Sequence, residues 1–205
     1  MSVKKIVFAV ACLLTSPLSM ATENIYGIFS AGFTDAEFDT NSTDGASYKL
    51  GLGYQFHRQW YLEMGYQQLA DEGMATRLPA TVEEAQNFRP GMEGNALFLA
   101  FLGKASNKMG ELFYRVGVVK ADVKGQKLLD GQTECNLGAA NTITVTGGQD
   151  YTLCQYDEGS VGGLIGIGFD FFVTPRAMLR VEIEHIRGEN ELSVNAAHIG
   201  FRYNF

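Results

Sequence analysis

The chain has 205 residues, of which 46% are hydrophobic and 19% are charged, and its formal net charge is −7. This length suits a single domain, and the composition excludes a disordered, collagen-like or disulfide-dense chain. The acidic balance argues against nucleic-acid binding, because phosphate contacts need clustered lysine and arginine. The mean hydropathy of −0.04 does not separate a soluble β protein from a membrane barrel, so the order of the residues must decide.

The N-terminus has the pattern of a secretory signal peptide. Two lysines precede an apolar run at residues 6–14, and Ser19-Met20-Ala21 forms a small-x-small cleavage site. The apolar run is too short for a transmembrane helix, which needs roughly 20 residues. We therefore predict that residues 1–21 are a signal peptide and that residues 22–205 form one exported domain.

Polar and apolar residues alternate along most of the exported domain. Near residue 50, for example, Tyr48, Leu50 and Leu52 alternate with Lys49 and Gly51. This period of two residues is typical of β-strands. Eight such runs lie at about residues 24–34, 46–56, 60–70, 93–104, 110–123, 159–173, 177–187 and 194–205.

The connections between these runs are alternately long and short. The short connections are 57–59, 105–109 and 174–176, and the long ones are 35–45, 71–92 and 124–158. Outer-membrane barrels have short periplasmic turns and longer extracellular loops, and a sheet in lipid must close because lipid offers no hydrogen-bond partners. We therefore predict an all-β fold, a closed eight-stranded antiparallel up-and-down transmembrane β-barrel with both termini in the periplasm.

The polar faces of the runs carry a balanced set of charges. Four bases oppose four acids: Lys49, Arg115, Arg180 and Arg202 against Glu63, Asp170, Glu182 and Glu184. Counted from the nearest short turn, these residues fall into levels about three, five and seven residues deep. Because an unpaired charge in a narrow lumen is costly, we predict a layered interior ion-pair network.

Two interpretations of this network remain open. In the first, the ion pairs exchange partners and open a small pore. In the second, they form a filled polar core that holds the strands in register. We favour the filled core, because breaking buried ion pairs is expensive and eight-stranded barrels have interiors that side chains fill.

The longest connection contains the two cysteines of the exported domain, Cys135 and Cys154. In an oxidising compartment we predict a disulfide between them; metal binding by two thiols without a nearby histidine is the weaker alternative. Residues 141–145 (NTITV) and 150–154 (DYTLC) are predicted to form a hairpin around Gly147-Gly148. Such a hairpin is either a recognition surface or a variable, protease-resistant loop.

Enzyme chemistry finds little support in the sequence. The three histidines are His57 in a short turn, His185 in the seventh run and His198 in the eighth. Nucleophilic catalysis needs a hydroxyl or thiol within reach of a base, and no spacing nominates such a pair. We predict no catalytic residue, no metal site and no cofactor.

Several short motifs resemble the transmembrane domain of the OmpA-type outer-membrane proteins. They are Gly53-Tyr54-Gln55, Leu62-Glu63-Met64-Gly65-Tyr66, Tyr114-Arg115-Val116-Gly117, Thr174-Pro175, Leu179-Arg180-Val181-Glu182 and Gly200-Phe201-Arg202-Tyr203-Asn204-Phe205. They follow in order over residues 24–205.

The resemblance implies roles for a few residues. Glu63 and Arg180 match the family's interior acid–arginine pair, whereas Phe101 stands where the family has an interior lysine on the fourth strand. The alternating Phe201, Tyr203 and Phe205 resemble the C-terminal signal that the barrel-assembly machinery reads. Many members of this family also carry a periplasmic peptidoglycan-binding domain, and we expect none in this chain.

These observations predict a monomeric outer-membrane protein of a Gram-negative bacterium, with a structural or adhesion role through its long extracellular loops. The expected partners are outer-membrane lipid, the assembly machinery during biogenesis and an extracellular ligand contacting residues 124–158. The alternatives are a narrow channel gated by the interior ion pairs and, third, an outer-membrane enzyme.

Overall fold

A computed structural model describes residues 24–38, 41–73, 77–88, 91–131, 133–135, 138–189 and 191–205. The predicted signal peptide at residues 1–21 lies outside the described residues. In the described part, no helix has the length and hydrophobicity needed to cross a membrane.

The described chain forms nine strands and one short helix. In chain order they are β1 (Ile25–Phe38), β2 (Asn41–His57), β3 (Trp60–Glu72), α1 (Val82–Gln86), β4 (Met92–Ser106), β5 (Gly110–Asp130), β6 (Ala139–Thr144), β7 (Asp150–Phe172), β8 (Ala177–Gly188) and β9 (Ser193–Asn204).

Eight of these strands close into a barrel. Strands β1 to β5 each pair antiparallel with the next along the chain, β7 to β9 do the same, and the pairings β1–β9 and β5–β7 complete the ring. The ninth strand, β6, pairs with β7 outside the ring. The predicted closed eight-stranded antiparallel barrel is therefore confirmed.

The apolar side chains of the strands face outward. Leu52, Ile167 and Phe201 are 57%, 47% and 60% exposed, which excludes a common dry core for them. Their alternate neighbours point into the lumen, because successive side chains of a strand lie on opposite faces. An outward apolar surface on a closed sheet is the arrangement that lipid requires.

Aromatic rings cluster at the end of the barrel that carries the short turns. The ring of Phe101 lies 5.3 Å from that of Phe56 and 5.5 Å from that of Trp60, and Trp60 lies 6.2 Å from Tyr114. Such groups are typical of the aromatic girdle at a membrane interface.

Most of the predicted 124–158 connection is strand rather than loop. β5 and β7 stay paired as far as Asp130 and Tyr151, and β6 adds a third strand beside β7. The hairpin predicted in this segment is present, and Gly147 and Gly148 turn it with positive φ angles of 113° and 78°. The first long connection is shortened in the same way, since β1 continues to Phe38 and β2 begins at Asn41. The paired strands β1–β2 and β5–β7 therefore extend beyond the apolar band. A hydrogen-bonded sheet can continue into water, because either face of it can be solvated.

Candidate functional site: the charged lumen and the extracellular sheet

Ten charged side chains meet inside the half of the barrel nearest the short turns; we call them the charged cluster. Five are bases and five are acids: Lys49, Lys104, Arg115, Arg180 and Arg202, with Glu63, Glu111, Asp170, Glu182 and Glu184. All except Glu111 are buried. The charges are therefore balanced within a region that bulk water does not reach.

Asp170 is the centre of the level nearest the short turns. Its two carboxylate oxygens accept hydrogen bonds from Nε and Nη2 of Arg180, at 2.7 and 2.9 Å. Lys104 donates to the same carboxylate at 3.0 Å and Arg202 at 3.1 Å. Lys104 and Arg202 also contact Glu111, at 3.3 and 2.8 Å. Bidentate, charge-assisted bonds of this kind are the strongest that side chains make in proteins.

Glu63 connects this level to the next one, because its Oε2 lies 4.0 Å from Nη1 of Arg115 in that level. Its Oε1 accepts from Arg180 at 2.8 Å and from the hydroxyl of Tyr26 at 2.8 Å. Tyr26 lies across Gly53, where a Cβ atom would come within 2.0 Å of the tyrosine ring. A glycine at position 53 is therefore what allows Tyr26 to reach Glu63.

The next level contains Lys49, Arg115, Glu182 and Glu184. Lys49 Nζ lies 2.6 Å from Glu182 and 2.7 Å from Glu184, and Arg115 lies 3.2 and 3.5 Å from the same two acids. Gln67 donates to Glu184 as well. The structure thus brings together all eight interior residues that the sequence nominated.

Aromatic faces cover the cations of the cluster. The guanidinium of Arg180 lies 4.4 Å from the ring centroid of Phe113, and that of Arg115 lies 4.8 Å from Phe98. Arg202 lies 3.9 Å from the Tyr26 ring. Cation–π contacts are strongest where water is excluded, so these rings add to the ion pairs.

Two members of the cluster were missed by the sequence analysis, and one residue was misplaced. Phe101, predicted at the position of an interior lysine, faces lipid with an exposure of 41%. The interior lysine of β4 is Lys104, three residues further along. Lys104 and Glu111 lie in predicted strands, one at the end and one near the start of the runs that flank a short turn, but they were not counted among the interior charges. Strand parity places Lys104 on the face of Leu102 and Glu111 on the face of Phe113.

The structure also joins a serine and a histidine that the sequence did not connect. Ser47 Oγ lies 3.1 Å from His198 Nε2, and the same hydroxyl donates to the carbonyl of Gln68. Both side chains are buried, and His198 Nδ1 has no hydrogen-bond partner within the described part of the chain. A catalytic triad needs a third group to orient the imidazole, and the described residues supply none to His198 Nδ1.

The other half of the lumen is largely apolar, with a few buried uncharged polar side chains such as Thr34, Gln126 and Ser160. Fourteen buried side chains, which we call the apolar cluster, fill it: Ala36, Phe38, Leu69, Ala70, Met92, Ala96, Val119, Ala121, Val123, Tyr156, Leu164, Ile186, Leu192 and Val194. The ring of Phe38 stacks on that of Tyr156 at 5.6 Å. The charged cluster is therefore closed off on its extracellular side by a packed apolar layer.

The sheet beyond the membrane is braced by a disulfide and by a second apolar group. Cys135 and Cys154 form the predicted disulfide, with their Cα atoms 5.7 Å apart. Ala85 of α1 packs against Val145 and Tyr151. On the water-facing surface, Lys124 donates to Asp157 at 2.8 Å, and this hydrogen bond raises the pKa of Lys124.

The C-terminal aromatic residues point away from the lumen. Phe201, Tyr203 and Phe205 are all exposed on the outer face of β9 and just beyond it, and the rings of Tyr203 and Phe205 lie 5.7 Å apart. The main-chain nitrogen of Phe205 donates to the carbonyl of Ile25 at 3.1 Å, which ties the C-terminus to β1. Their recognition by the assembly machinery stays a prediction.

Closure of the sheet, the apolar outer face and the balanced interior charges define an outer-membrane β-barrel protein. The chain belongs to the family described as the outer membrane protein beta-barrel domain, which matches residues 6–205. This family places it in the outer membrane of Gram-negative bacteria. No curated protein matches the sequence.

Solved structures show the same fold. The crystal structure of Neisserial surface protein A has a TM-score of 0.61 at 12% identity, over 88% of this chain and 97% of that one. The N-terminal barrel of Pseudomonas aeruginosa OprF gives 0.53 at 12% identity, over 89% and 98%. Ail of Yersinia pestis, the attachment invasion locus protein, gives 0.51 at 13% identity, over 89% and 99%.

Proposed function

We propose that this protein is a structural and adhesive barrel that binds an extended polypeptide through its extracellular sheet. The observation that carries the proposal is the free edge of β6. The barrel strands are paired on both sides, whereas β6 ends the sheet and has no strand beyond it in the described part. An open edge presents unpaired backbone groups that accept an added strand.

The pairing of β6 shows which backbone groups face outward. The nitrogen of Val145 donates to the carbonyl of Gln149 at 3.0 Å, so this pair is hydrogen-bonded across the hairpin. Hydrogen-bonded and non-bonded pairs alternate along an antiparallel ladder. In the register of β6 and β7, the N–H and C=O groups of Ala140, Thr142 and Thr144 therefore point away from β7.

Just beyond the end of β6, another segment of the chain pairs with the backbone on this same side. The nitrogen of Thr146 donates to the carbonyl of Ala80 at 2.9 Å, and Thr81 forms a parallel bridge with Thr146. The sequence of β6 is AANTIT, which has no charge and no proline to discourage strand addition. The disulfide and the packing of α1 hold the edge in place, which lowers the entropy that binding must overcome.

The test measures attachment of cells that carry the protein to immobilised extracellular matrix. Replacing residues 124–158 with a short turn should abolish attachment. In the intact chain, Thr142→Pro removes one outward N–H and should reduce attachment, whereas Thr142→Val keeps the backbone edge and should not. Unchanged attachment after the loop replacement contradicts the adhesive role, and equal attachment by the two Thr142 variants contradicts the edge.

The channel alternative is weakened by the packing of the lumen. The ion pairs are buried, and the apolar cluster lies between them and the extracellular side. We therefore expect planar-bilayer recordings of the folded protein to show no stable unit conductance. A stable conductance that Glu63→Gln alters would instead support a gated pore.

The remaining features of the proposal rest on predictions from the sequence. We propose that residues 1–21 direct export and are removed, that Phe201, Tyr203 and Phe205 are read during assembly, and that the barrel is monomeric and non-enzymatic. The hydroxyl–imidazole contact of Ser47 with His198 is buried.

A further inference from the structure

A row of four polar side chains crosses four neighbouring strands on the outer face of the barrel. Asp44 of β2 is the direct partner of Asp35 of β1, Asp35 is the partner of Asn195 of β9, and Asn195 is the partner of His185 of β8. His185 Nδ1 lies 2.9 Å from Asn195 Oδ1. The row thus has an acidic half and an amide–imidazole half.

This row borders an apolar hollow. The hollow has a volume of about 740 Å³ and is lined by the four polar residues together with apolar side chains, including Phe33, Ile165, Ile183 and Ala197. Phe33, Ile183 and Ala197 each lie two residues from a member of the row, on the periplasmic side. The small Ala197 lies between the larger Phe33 and Ile183, so the outer surface is recessed there.

The position of the row places it at the extracellular boundary of the apolar band. On the periplasmic side its outward neighbours are apolar, and on the other side they are Glu37, Arg187 and Ser193. A molecule that fills the hollow and reaches the row must therefore be apolar at one end and polar at the other. That description fits a membrane lipid lying against the barrel.

The charges select the head group. Two carboxylates directly opposite each other on adjacent strands repel, with Cβ atoms about 5 Å apart, and nothing described neutralises Asp35 and Asp44. A primary ammonium has three N–H donors and can bond both carboxylates at once. A bound metal is the less suitable counter-ion, because the described residues include no cluster of three or more metal-ligating side chains.

We propose that this surface binds a membrane lipid whose head group carries a primary ammonium beside its phosphate. The ammonium lies between Asp35 and Asp44, the phosphate accepts from the Asn195 amide, and one acyl chain lies over Ala197 between Phe33 and Ile183. The site is independent of the extracellular sheet and of adhesion.

Native mass spectrometry of the folded protein tests the proposal. The protein is released from nanodiscs that contain equal amounts of phosphatidylethanolamine, phosphatidylcholine and phosphatidylglycerol with identical acyl chains. We expect the ethanolamine lipid to be retained roughly tenfold over the choline lipid, because a quaternary ammonium cannot donate hydrogen bonds to the carboxylates. The double variant Asp35→Asn/Asp44→Asn should reduce that preference to parity.

Two further variants separate the head group from the hollow. Asp122→Asn removes an outward-facing carboxylate on β5, away from the hollow, and should change nothing. Ala197→Trp fills the hollow and should reduce retention of all three lipids. Migration of unheated and heated samples in detergent gels checks that each variant is folded.

Several outcomes overturn the proposal. They are equal retention of the three lipids by the unmodified protein, an unchanged preference in the Asp35/Asp44 double variant, and a preference for phosphatidylglycerol that chelation of divalent cations removes. Displacement of the lipid by soluble phosphoethanolamine at the same concentration would show that the head group alone binds, and it would overturn the role of the hollow.

Discussion

The two halves of the barrel interior fill the same kind of space with opposite chemistry. The half near the short turns holds the ten charged side chains of the charged cluster, whereas the extracellular half is filled mainly by the apolar cluster. Both sets of side chains are buried, yet ion pairs are directional and apolar contacts are not. The charged half therefore specifies which strands are neighbours and at what height, while the apolar half supplies packing and closes the lumen.

The largest expected effect comes from breaking the charged half at its most connected cation. Arg180→Met leaves Asp170 and Glu63 without their main partner, and removing one member of a buried pair costs about 3–5 kcal/mol. The free energy of unfolding in urea, followed through the fluorescence of Trp60, measures this loss. Trp60 is the only tryptophan of the chain.

A matched variant shows whether the loss comes from unpaired charge. Adding Glu63→Gln and Asp170→Asn to Arg180→Met removes the orphaned carboxylates, and we expect most of the stability to return. If the triple variant is no more stable than the single one, the charged half stabilises by shape rather than by pairing.

A smaller effect is expected in the apolar half. Leu164→Ala removes a fully buried side chain from the apolar cluster, and such a truncation costs about 3 kcal/mol, according to how far the site relaxes. The same urea experiment measures it. Since no charge is left unpaired, a polar replacement elsewhere should not rescue this variant. Rescue by Glu63→Gln would show that the two halves do not act separately.

The disulfide tests whether the extracellular sheet is independent of the barrel. The double variant Cys135→Ser/Cys154→Ser removes a crosslink between cysteines 19 residues apart, worth about 3 kcal/mol to the segment it closes. We expect faster proteolysis within residues 124–158 and an unchanged unfolding midpoint for the barrel. A lower midpoint would mean that the two regions unfold together.

The smallest effect is expected at the ion pair between Lys124 and Asp157. Their side chains are 50% and 67% exposed, and water and salt screen such pairs. Lys124→Met should therefore leave the urea midpoint unchanged, in contrast to Arg180→Met. A shift in the urea midpoint comparable to that of Arg180→Met would contradict the expectation that exposed ion pairs contribute less to stability than buried ones.

Much of the fold followed from local patterns. Alternation placed the eight barrel strands, and the parity of Glu63, Arg115 and Arg180 put them on the inner face, because side chains of a strand alternate with a fixed period of two. The same rule covers Lys104 and Glu111, but their position beside a short turn hid it. The strands that continue beyond the membrane could not be predicted from alternation. Both faces of the sheet contact water there, so polar and apolar residues need not alternate.

By itself, the order of the residues determined the class of the protein: a closed sheet with an apolar exterior, paired interior charges and a disulfide in the longest connection. Only the tertiary structure decided which bases share a carboxylate, that the charged side chains gather in one half of the lumen, that β6 forms a free sheet edge, and that Asp35 and Asp44 lie beside an apolar hollow. The physical reason is that alternation is a property of one strand, whereas these contacts depend on the stagger between strands distant in sequence, which is set only when the barrel closes.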